Sequence, residues 1–306
     1  MTRIANQVGP PEAPWGLDTR AGVADDHPSM ATTTEKRREF RRLHESGCFV
    51  LPNPWDVGSA RYLQTLGFKA LATTSAGFAF SRGLPDGGVP RADVLVHVAE
   101  MADAVDVPVN ADFEGGYAVT PEGVAESVRL CCATGVSGLS IEDSTGDPAA
   151  PLHDFPLAVA RVAAARKAID DAGGDVVFTA RSEGFVRGRP DLGETIRRLR
   201  AFVEAGADCV FAPGIRTPDQ IRAIVEAVSP VAVNVVVGTS GGLTVAELAA
   251  LGVRRISVGG SLARAAWRGA MAAAREIAEA GTFGGFADLP SGADLNQLFA
   301  PYARRG

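Results

Sequence analysis

One short unit recurs along the chain and restricts its fold more than any other feature. A helix-like stretch ends in glycine, and a run of apolar residues starts at once. The unit is read at Leu66-Gly67-Phe68 before ALATT and at Thr134-Gly135-Val136 before SGLSIED. It returns at Ala205-Gly206-Ala207 before DCVFAPG and at Leu251-Gly252-Val253 before RRISVGG. Glycine after a helix takes the left-handed conformation that closes the last turn. The apolar runs are continuous rather than alternating, which suits parallel strands covered on both faces. Helix starts are equally legible. Thr217-Pro218-Asp219-Gln220 supplies an N-cap, a proline at the first helical position and a glutamine three residues on. Thr120-Pro121-Glu122 opens another helix in the same way.

About eight strands are predicted, near residues 48–51, 69–73, 107–112, 137–142, 175–180, 208–212, 232–236 and 254–258. Each is followed by a helix or a helical loop. The class is α/β, and the alternation predicts a (β/α)8 barrel with its active site where strands end and βα loops begin. A doubly wound open sheet competes, but it would want a glycine-rich phosphate turn after its first strand, where Asn53-Pro54-Trp55-Asp56 stands. The barrel is expected over residues 35–285, starting with a charged helix over 35–46 whose apolar contact is Phe40 and Leu43. Residues 1–34 are rich in Pro, Gly, Ala and Asp without periodicity and read as a loosely attached extension. Residues 286–306 form a tail with a short helix near 293–299. That tail exceeds what barrel closure needs, which points to packing on a neighbouring subunit.

Polar residues collect at the predicted strand ends. The third strand runs into Asp112-Phe113-Glu114-Gly115-Gly116-Tyr117 and the fourth into Glu142-Asp143. Strand alternation would turn Asp112 and Glu114 to one side. With Glu142 they make an all-oxygen set suited to a hard cation. The second strand ends in Thr73-Thr74-Ser75-Ala76-Gly77, whose hydroxyls and backbone N–H groups could bind a carboxylate or oxyanion. The next loop carries Gly83-Leu84-Pro85-Asp86, the fifth strand ends at Arg181, and Asn234 sits inside the apolar seventh strand. Each has a plainer reading. The acids could be solvated caps, Arg181 could serve a structural carboxylate, and the run at 73–77 could be only a turn. A buried amide such as Asn234 must find partners in any case. His44, His97 and His153 have no second ligand nearby in sequence, so a zinc site is not expected.

The chain has 306 residues, 46% hydrophobic and 22% charged, with a formal net charge of −6. That balance argues against a nucleic-acid or anionic-membrane surface. The four cysteines (Cys48, Cys131, Cys132 and Cys209) show no metal-binding spacing and read as reduced core thiols of a cytoplasmic protein. Residues 1–30 lack a signal-peptide apolar run, and no later segment is apolar enough to span a membrane.

Taken in order, Pro52-Asn53-Pro54-Trp55-Asp56-Val57-Gly58-Ser59-Ala60, Thr74-Ser75-Ala76-Gly77 and Gly83-Leu84-Pro85-Asp86 resemble the isocitrate lyase / phosphoenolpyruvate mutase superfamily. So do Asp112-Phe113-Glu114-Gly115-Gly116-Tyr117, Ile141-Glu142-Asp143-Ser144, Ala180-Arg181 and Ala205-Gly206-Ala207-Asp208. The match runs from about Phe49 to Ala265. The resemblance implies a barrel whose last helix is often exchanged between subunits of dimers or tetramers. It also implies Mg²⁺ (with Mn²⁺ as the other candidate) and a small 2-oxo or 2-hydroxy acid whose C–C or P–C bond is made or broken through an enolate. By motif, Asp112 resembles the direct metal ligand, while Glu114 and Glu142 resemble acids that hold metal-bound water. Asp86 resembles the acid of a gating loop. Ser75, Ala76 and Gly77 resemble a carboxylate cradle, and Arg181 and Asn234 resemble substrate-gripping residues. Isocitrate-type lyases carry a Lys-x-Cys-Gly-His loop after the fourth strand. Here Ser144-Thr145-Gly146-Asp147-Pro148-Ala149-Ala150-Pro151-Leu152-His153 replaces it, without Cys or Lys. The function expected is a Mg²⁺-dependent lyase or decarboxylase of a small dicarboxylic acid. Phosphonopyruvate chemistry and a catalytically silent acid-binding barrel are the alternatives.

Overall fold

The structure, a computed structural model, describes residues 31–303. The expected extension therefore lies almost wholly outside the described residues. Its last residues, Thr33 and Thr34, open the first helix, because a capping box between Thr32 and Glu35 starts that helix earlier than periodicity predicts.

In order, the elements are α1 (Thr33–Leu43), β1 (Phe49–Leu51), α2 (Val57–Thr65), β2 (Leu71–Ala72), α3 (Ser75–Ser81) and α4 (Arg91–Ala104). Then come β3 (Val109–Asp112), α5 (Pro121–Cys132), β4 (Gly138–Glu142), α6 (Phe155–Asp171), β5 (Val177–Arg181) and α7 (Leu192–Glu204). The last third holds β6 (Cys209–Phe211), α8 (Pro218–Val228), β7 (Ala232–Val236), α9 (Val245–Ala250), β8 (Arg255–Ser257), α10 (Ser261–Ala280) and α11 (Gly292–Phe299). All eight strands are parallel, in the order β1-β8-β7-β6-β5-β4-β3-β2. The remaining seam, between β1 and β2, is crossed by a bond from the Ala72 N–H to the Pro52 carbonyl at 3.1 Å. This is the (β/α)8 barrel expected from the repeat.

The glycines of the repeat do what the motif requires. Gly67, Gly135, Gly206 and Gly252 all have φ between 83° and 101°. Thr120 and Thr217 cap α5 and α8, each with proline in the first turn.

α1 closes the N-terminal mouth of the barrel. Phe40 is fully buried against Phe49, Leu51, Ala70, Ala72 and Val177. A Cβ on Gly138 would stand 2.5 Å from the Phe40 ring, so the first residue of β4 must be glycine for the plug to fit. The charges of α1 are also used. Lys36 donates to the carbonyls of Ala102 and Val105 at 2.8 and 2.6 Å, and Arg37 donates to Cys132 and Val136. They satisfy carbonyls left open where α4 and α5 end. The polar strand ends gather at the opposite end of the barrel.

At that end Asn53 joins three strands. Its amide donates to the Thr73 carbonyl, and its oxygen accepts from the N–H groups of Val258 and Gly259, all at 2.9 Å. The PNPWD motif thus pins the ends of β1, β2 and β8 where the sheet ladder is thinnest.

Candidate active site

β3 delivers Asp112 to the rim, and its neighbours fix the carboxylate. The Asp112 N–H donates to the Thr73 hydroxyl at 2.9 Å. One carboxylate oxygen accepts from the Ser75 N–H at 2.9 Å, and the other from Arg181 at 2.6 Å. β3 ends there, so alternation is not what brings Glu114 to the same side. Glu114 and Tyr117 have φ of 48° and 55°, and the backbone turns through left-handed conformations instead. Such residues cost about 1–3 kcal/mol each and persist where surroundings over-determine them. Here the Glu114 carbonyl accepts from the Glu142 N–H at 2.9 Å, and the buried Arg161 guanidinium donates to the carbonyls of Gly115, Ala118 and Val119. The Tyr117 hydroxyl donates to the Glu114 carboxylate at 2.9 Å.

Arg181, the last residue of β5, is the centre of the arrangement. Its guanidinium lies 2.6 Å from Asp112, 3.0 Å from Glu142 and 2.9 Å from Glu183. Asp143 faces the other way. It accepts the Glu183 N–H at 2.8 Å and pairs with the buried Arg198 at 3.2 Å, which holds the β5 loop in place. A second guanidinium, Arg187, sits 3.4 Å from Glu142 on that loop. These groups line or border a cavity of about 730 Å³ that also meets Ser75, Asp86, Tyr117, Ser144, Thr145 and His153.

Burial, followed by the charges of Asp112 and Asp86, pushes the Glu114 carboxyl up, against the hydrogen bond from Tyr117. Burial likewise pushes Glu142 up, with Arg181 opposing it and Glu183 and Asp112 adding to it. Burial alone would lower Arg181, but Glu183, Glu142 and Asp112 hold it well above its ordinary range. Five carboxylates (Asp86, Asp112, Glu114, Glu142 and Glu183) thus face three guanidinium groups (Arg161, Arg181 and Arg187). An excess of half-buried negative charge is costly unless protons or a cation offset it.

Among the described residues, no three of His, Cys, Asp and Glu converge closely enough to bind one metal ion directly. The donor chemistry does suit a hard divalent cation. All the donors are carboxylate oxygens, they are in excess of positive charge, and Mg²⁺ commonly takes one or two carboxylates and keeps several waters.

The remaining sequence-derived candidates fall as follows. Asp86 lies on the exposed loop after α3, at the cavity rim, where a Cβ on the neighbouring Gly87 would stand 3.9 Å from the Glu114 carboxylate. Ser75, Ala76 and Gly77 form the first turn of α3. The Ser75 N–H is engaged by Asp112, and the Gly77 N–H by the Thr74 hydroxyl at 3.2 Å. A Cβ on Gly77 would meet Thr74 at 2.6 Å and Trp55 at 2.9 Å, so close packing accounts for that glycine. Asn234 is buried in the barrel interior, where it accepts from Arg255 at 2.9 Å and donates to Ser257 at 3.0 Å. It is not among the residues lining the cavity. His153 lines the cavity, and Asp154, not His153, caps α6. Sequence reasoning missed Arg161, Glu183, Arg187 and the Tyr117–Glu114 pair. Tyr117 lay inside a motif already singled out, and Glu183 follows Arg181 by two residues. Arg161 lies within α6, away from any strand end, and no local signal marks it.

The family model of phosphoenolpyruvate phosphomutase matches residues 40–278, most of the chain. The chain belongs to this family. Among solved structures, a Burkholderia cenocepacia J2315 protein assigned provisionally as a lyase/mutase is 46% identical, with a TM-score of 0.84 over 88% of this chain and 96% of that one. The oxaloacetate decarboxylase of Paraburkholderia xenovorans is 30% identical over 65% of this chain and 68% of its own length. A phosphonopyruvate hydrolase solved with oxalate and Mg²⁺ is 27% identical, with a TM-score of 0.78 over 88% of this chain and 96% of that one. Within this phosphomutase-family barrel, the loop after β4 closes on itself. Ser144 bridges Leu152, and the Thr145 hydroxyl donates to the Ala150 carbonyl at 2.6 Å.

Proposed function

We propose that the protein is a Mg²⁺-dependent lyase or decarboxylase acting on a small 2-oxo or 2-hydroxy dicarboxylic acid. The observation that carries this reading is the convergence of Asp112, Glu114 and Glu142 beside the guanidinium of Arg181 at the C-terminal rim of the barrel. Asp112 would hold the ion directly, and Glu114 and Glu142 would hold it through water, with Mn²⁺ able to replace Mg²⁺. When bound, the ion supplies electrophilic stabilisation of the charge that develops on the 2-oxo oxygen as the bond breaks.

The chain's own groups do the rest. The Thr73 hydroxyl holds the Asp112 backbone N–H and the Ser75 N–H holds its carboxylate, so the group need not reorganise during reaction. Arg181 presents a fixed cation to the substrate carboxylate, the site of recognition that its planar fork suits. The first turn of α3, at Ser75, Ala76 and Gly77, borders the same anion, and Asp86 would act from the exposed loop at the cavity rim. Asn234 supports β7 and β8 beneath the site through Arg255 and Ser257. Burial, then Arg161, holds His153 below its ordinary range, which favours the neutral imidazole, a proton acceptor at the cavity wall. The reading includes a cytoplasmic setting, consistent with four free thiols. It also includes a second copy of the chain docked on α10, whose Trp267 and Met271 are about half exposed.

The test is turnover of oxaloacetate, alkylmalates and phosphonopyruvate by purified protein with Mg²⁺, in parallel with Asp112→Ala and Asp112→Asn. Both variants are expected to lose activity by at least about 10³-fold and to lose Mg²⁺ affinity by calorimetry, while keeping the circular dichroism of the parent. Unchanged Mg²⁺ affinity in both variants would refute the ligand assignment. Turnover of phosphonopyruvate alone would move the chemistry to the P–C bond. Acid binding without turnover would leave a silent barrel.

A further inference from the structure

We infer that Arg187 sets specificity by taking the substrate carboxylate remote from the 2-oxo group, an inference that rests on the activity proposed above. Three guanidinium groups line the cavity, and they differ in how fully they are engaged. Arg161 donates to three backbone carbonyls of the β3 loop. Arg181 has three carboxylates within 3.0 Å. Among the described residues, the ion pairs of Arg187 are long, 3.4 Å to Glu142 and 3.9 Å to Glu183, and both carboxylates are already held closely by Arg181. Its side chain is 43% exposed, so it pays little desolvation to change partners. A guanidinium so placed is attracted to the cavity by charge, and its contacts through Nη2 and Nε are long enough for a second planar anion to compete for the fork.

The backbone beneath it is well held, which distinguishes it from an arginine on a loose loop. The N–H groups of Val186 and Arg187 both donate to the Glu183 carbonyl at 3.0 Å, and Arg189 donates to the Gly184 carbonyl at 2.8 Å. Glu183 is itself fixed by Arg181 and, through its N–H, by Asp143. The position of Arg187 is therefore tied to the site's own carboxylates. At about 730 Å³ the cavity has room for more than the carboxylate and carbonyl that Arg181 and the acidic cluster address. An acid extended away from that cluster enters a region whose cation is Arg187.

The inference is tested by binding in the presence of Mg²⁺, with malate as a four-carbon dicarboxylate and oxalate as an anion too short to reach beyond the inner end. Arg187→Gln is expected to weaken malate binding by about 10- to 100-fold, the range for a lost charge-assisted hydrogen bond, and to leave the oxalate Kd within about twofold. Arg187→Lys is expected to recover part of the loss, since it restores charge without the fork. With oxaloacetate as substrate, the effect should appear in KM before kcat. An equal loss for malate and oxalate would overturn the inference, because Arg187 would then merely support Glu142 and Glu183. No change for either acid would also overturn it. If the wild type binds neither acid, the proposed activity fails and the inference falls with it.

Discussion

Glu114 is a long acid on a strained residue, and Tyr117 is what holds its carboxylate. Burial and the Glu114 charge drive the Tyr117 phenol far above its ordinary range, so it stays a donor at any physiological pH. Tyr117→Phe keeps the ring against Phe113, 5.1 Å between centroids, and removes only the hydroxyl. Outer partners of metal-site ligands typically contribute 10- to 100-fold. The variant is therefore expected to lose about tenfold in Mg²⁺ affinity or kcat/KM without losing stability; wild-type values in both would separate Tyr117 from the site. A second residue governs response to acid. His97 is buried, stacked on Phe78 at 3.8 Å, and its Nε2 has no hydrogen-bond partner among the described residues. Burial pulls it down from 6.5 to about 4, with Asp56 opposing. The folded state thus binds this proton less well than the unfolded chain. The neutral ring's contribution is complete above about pH 6.5 and is lost as pH falls toward 4, on the order of 3 kcal/mol in all. Urea midpoints for wild type and His97→Leu between pH 7 and 4 check this: the variant should lose less stability on acidification.

At the scale of elements, the loop after β4 decides which lyase chemistry is open. A positioned acid typically contributes about 10²–10⁴-fold. The Lys-x-Cys-Gly-His acid of isocitrate-type lyases has no counterpart here: Cys131, Cys132 and Cys209 are buried in elements away from the cavity lining, and Cys48 precedes β1. Cleavage of isocitrate or methylisocitrate is expected to be slower than turnover of the true substrate by at least about that factor. Coupled glyoxylate or pyruvate release measures it. Robust cleavage that disappears in His153→Ala would show that His153 has taken over the acid's place. The strands on either side of this loop were legible in sequence because continuous apolar runs and post-helical glycines are local signals. The fixed position of the loop was not, since it depends on Asp143 reaching Arg198 on α7.

For the whole molecule, α10 is the element whose face is least accounted for within the described chain. It runs for 20 residues with only Ala263 buried, and Trp267, Met271 and Ile277 are 46%, 50% and 38% exposed. Phe80 and Leu84 form a groove with it, while the tail returns to α2 through Tyr302, over which Arg61 stacks at 4.5 Å. An amphipathic helix with an open apolar stripe gains by covering it. Sedimentation of the wild type is expected to show a dimer or tetramer, and Trp267→Glu with Met271→Glu a smaller species. An unchanged sedimentation coefficient in the double variant would exclude this face as the interface.

What the sequence determined by itself was the barrel and the end of it at which polar residues gather. Hydrophobic period, capping residues and left-handed glycines are each set by a few neighbours along the chain, and polar residues at successive strand ends add up to one rim. The gathering of Asp112, Glu142 and Arg181 at that rim was legible for that reason. The tertiary structure alone decided which charge meets which. Alternation did not predict the left-handed turn that brings Glu114 to Tyr117, because that turn is held by Glu142 and Arg161 from other elements. It also separated Asp143 from Glu142, turned Asn234 into the barrel, and left Arg187 beside two acids already engaged by Arg181. Coulomb energy depends on distances between side chains far apart in sequence and on the burial around them, and neither is encoded by local pattern.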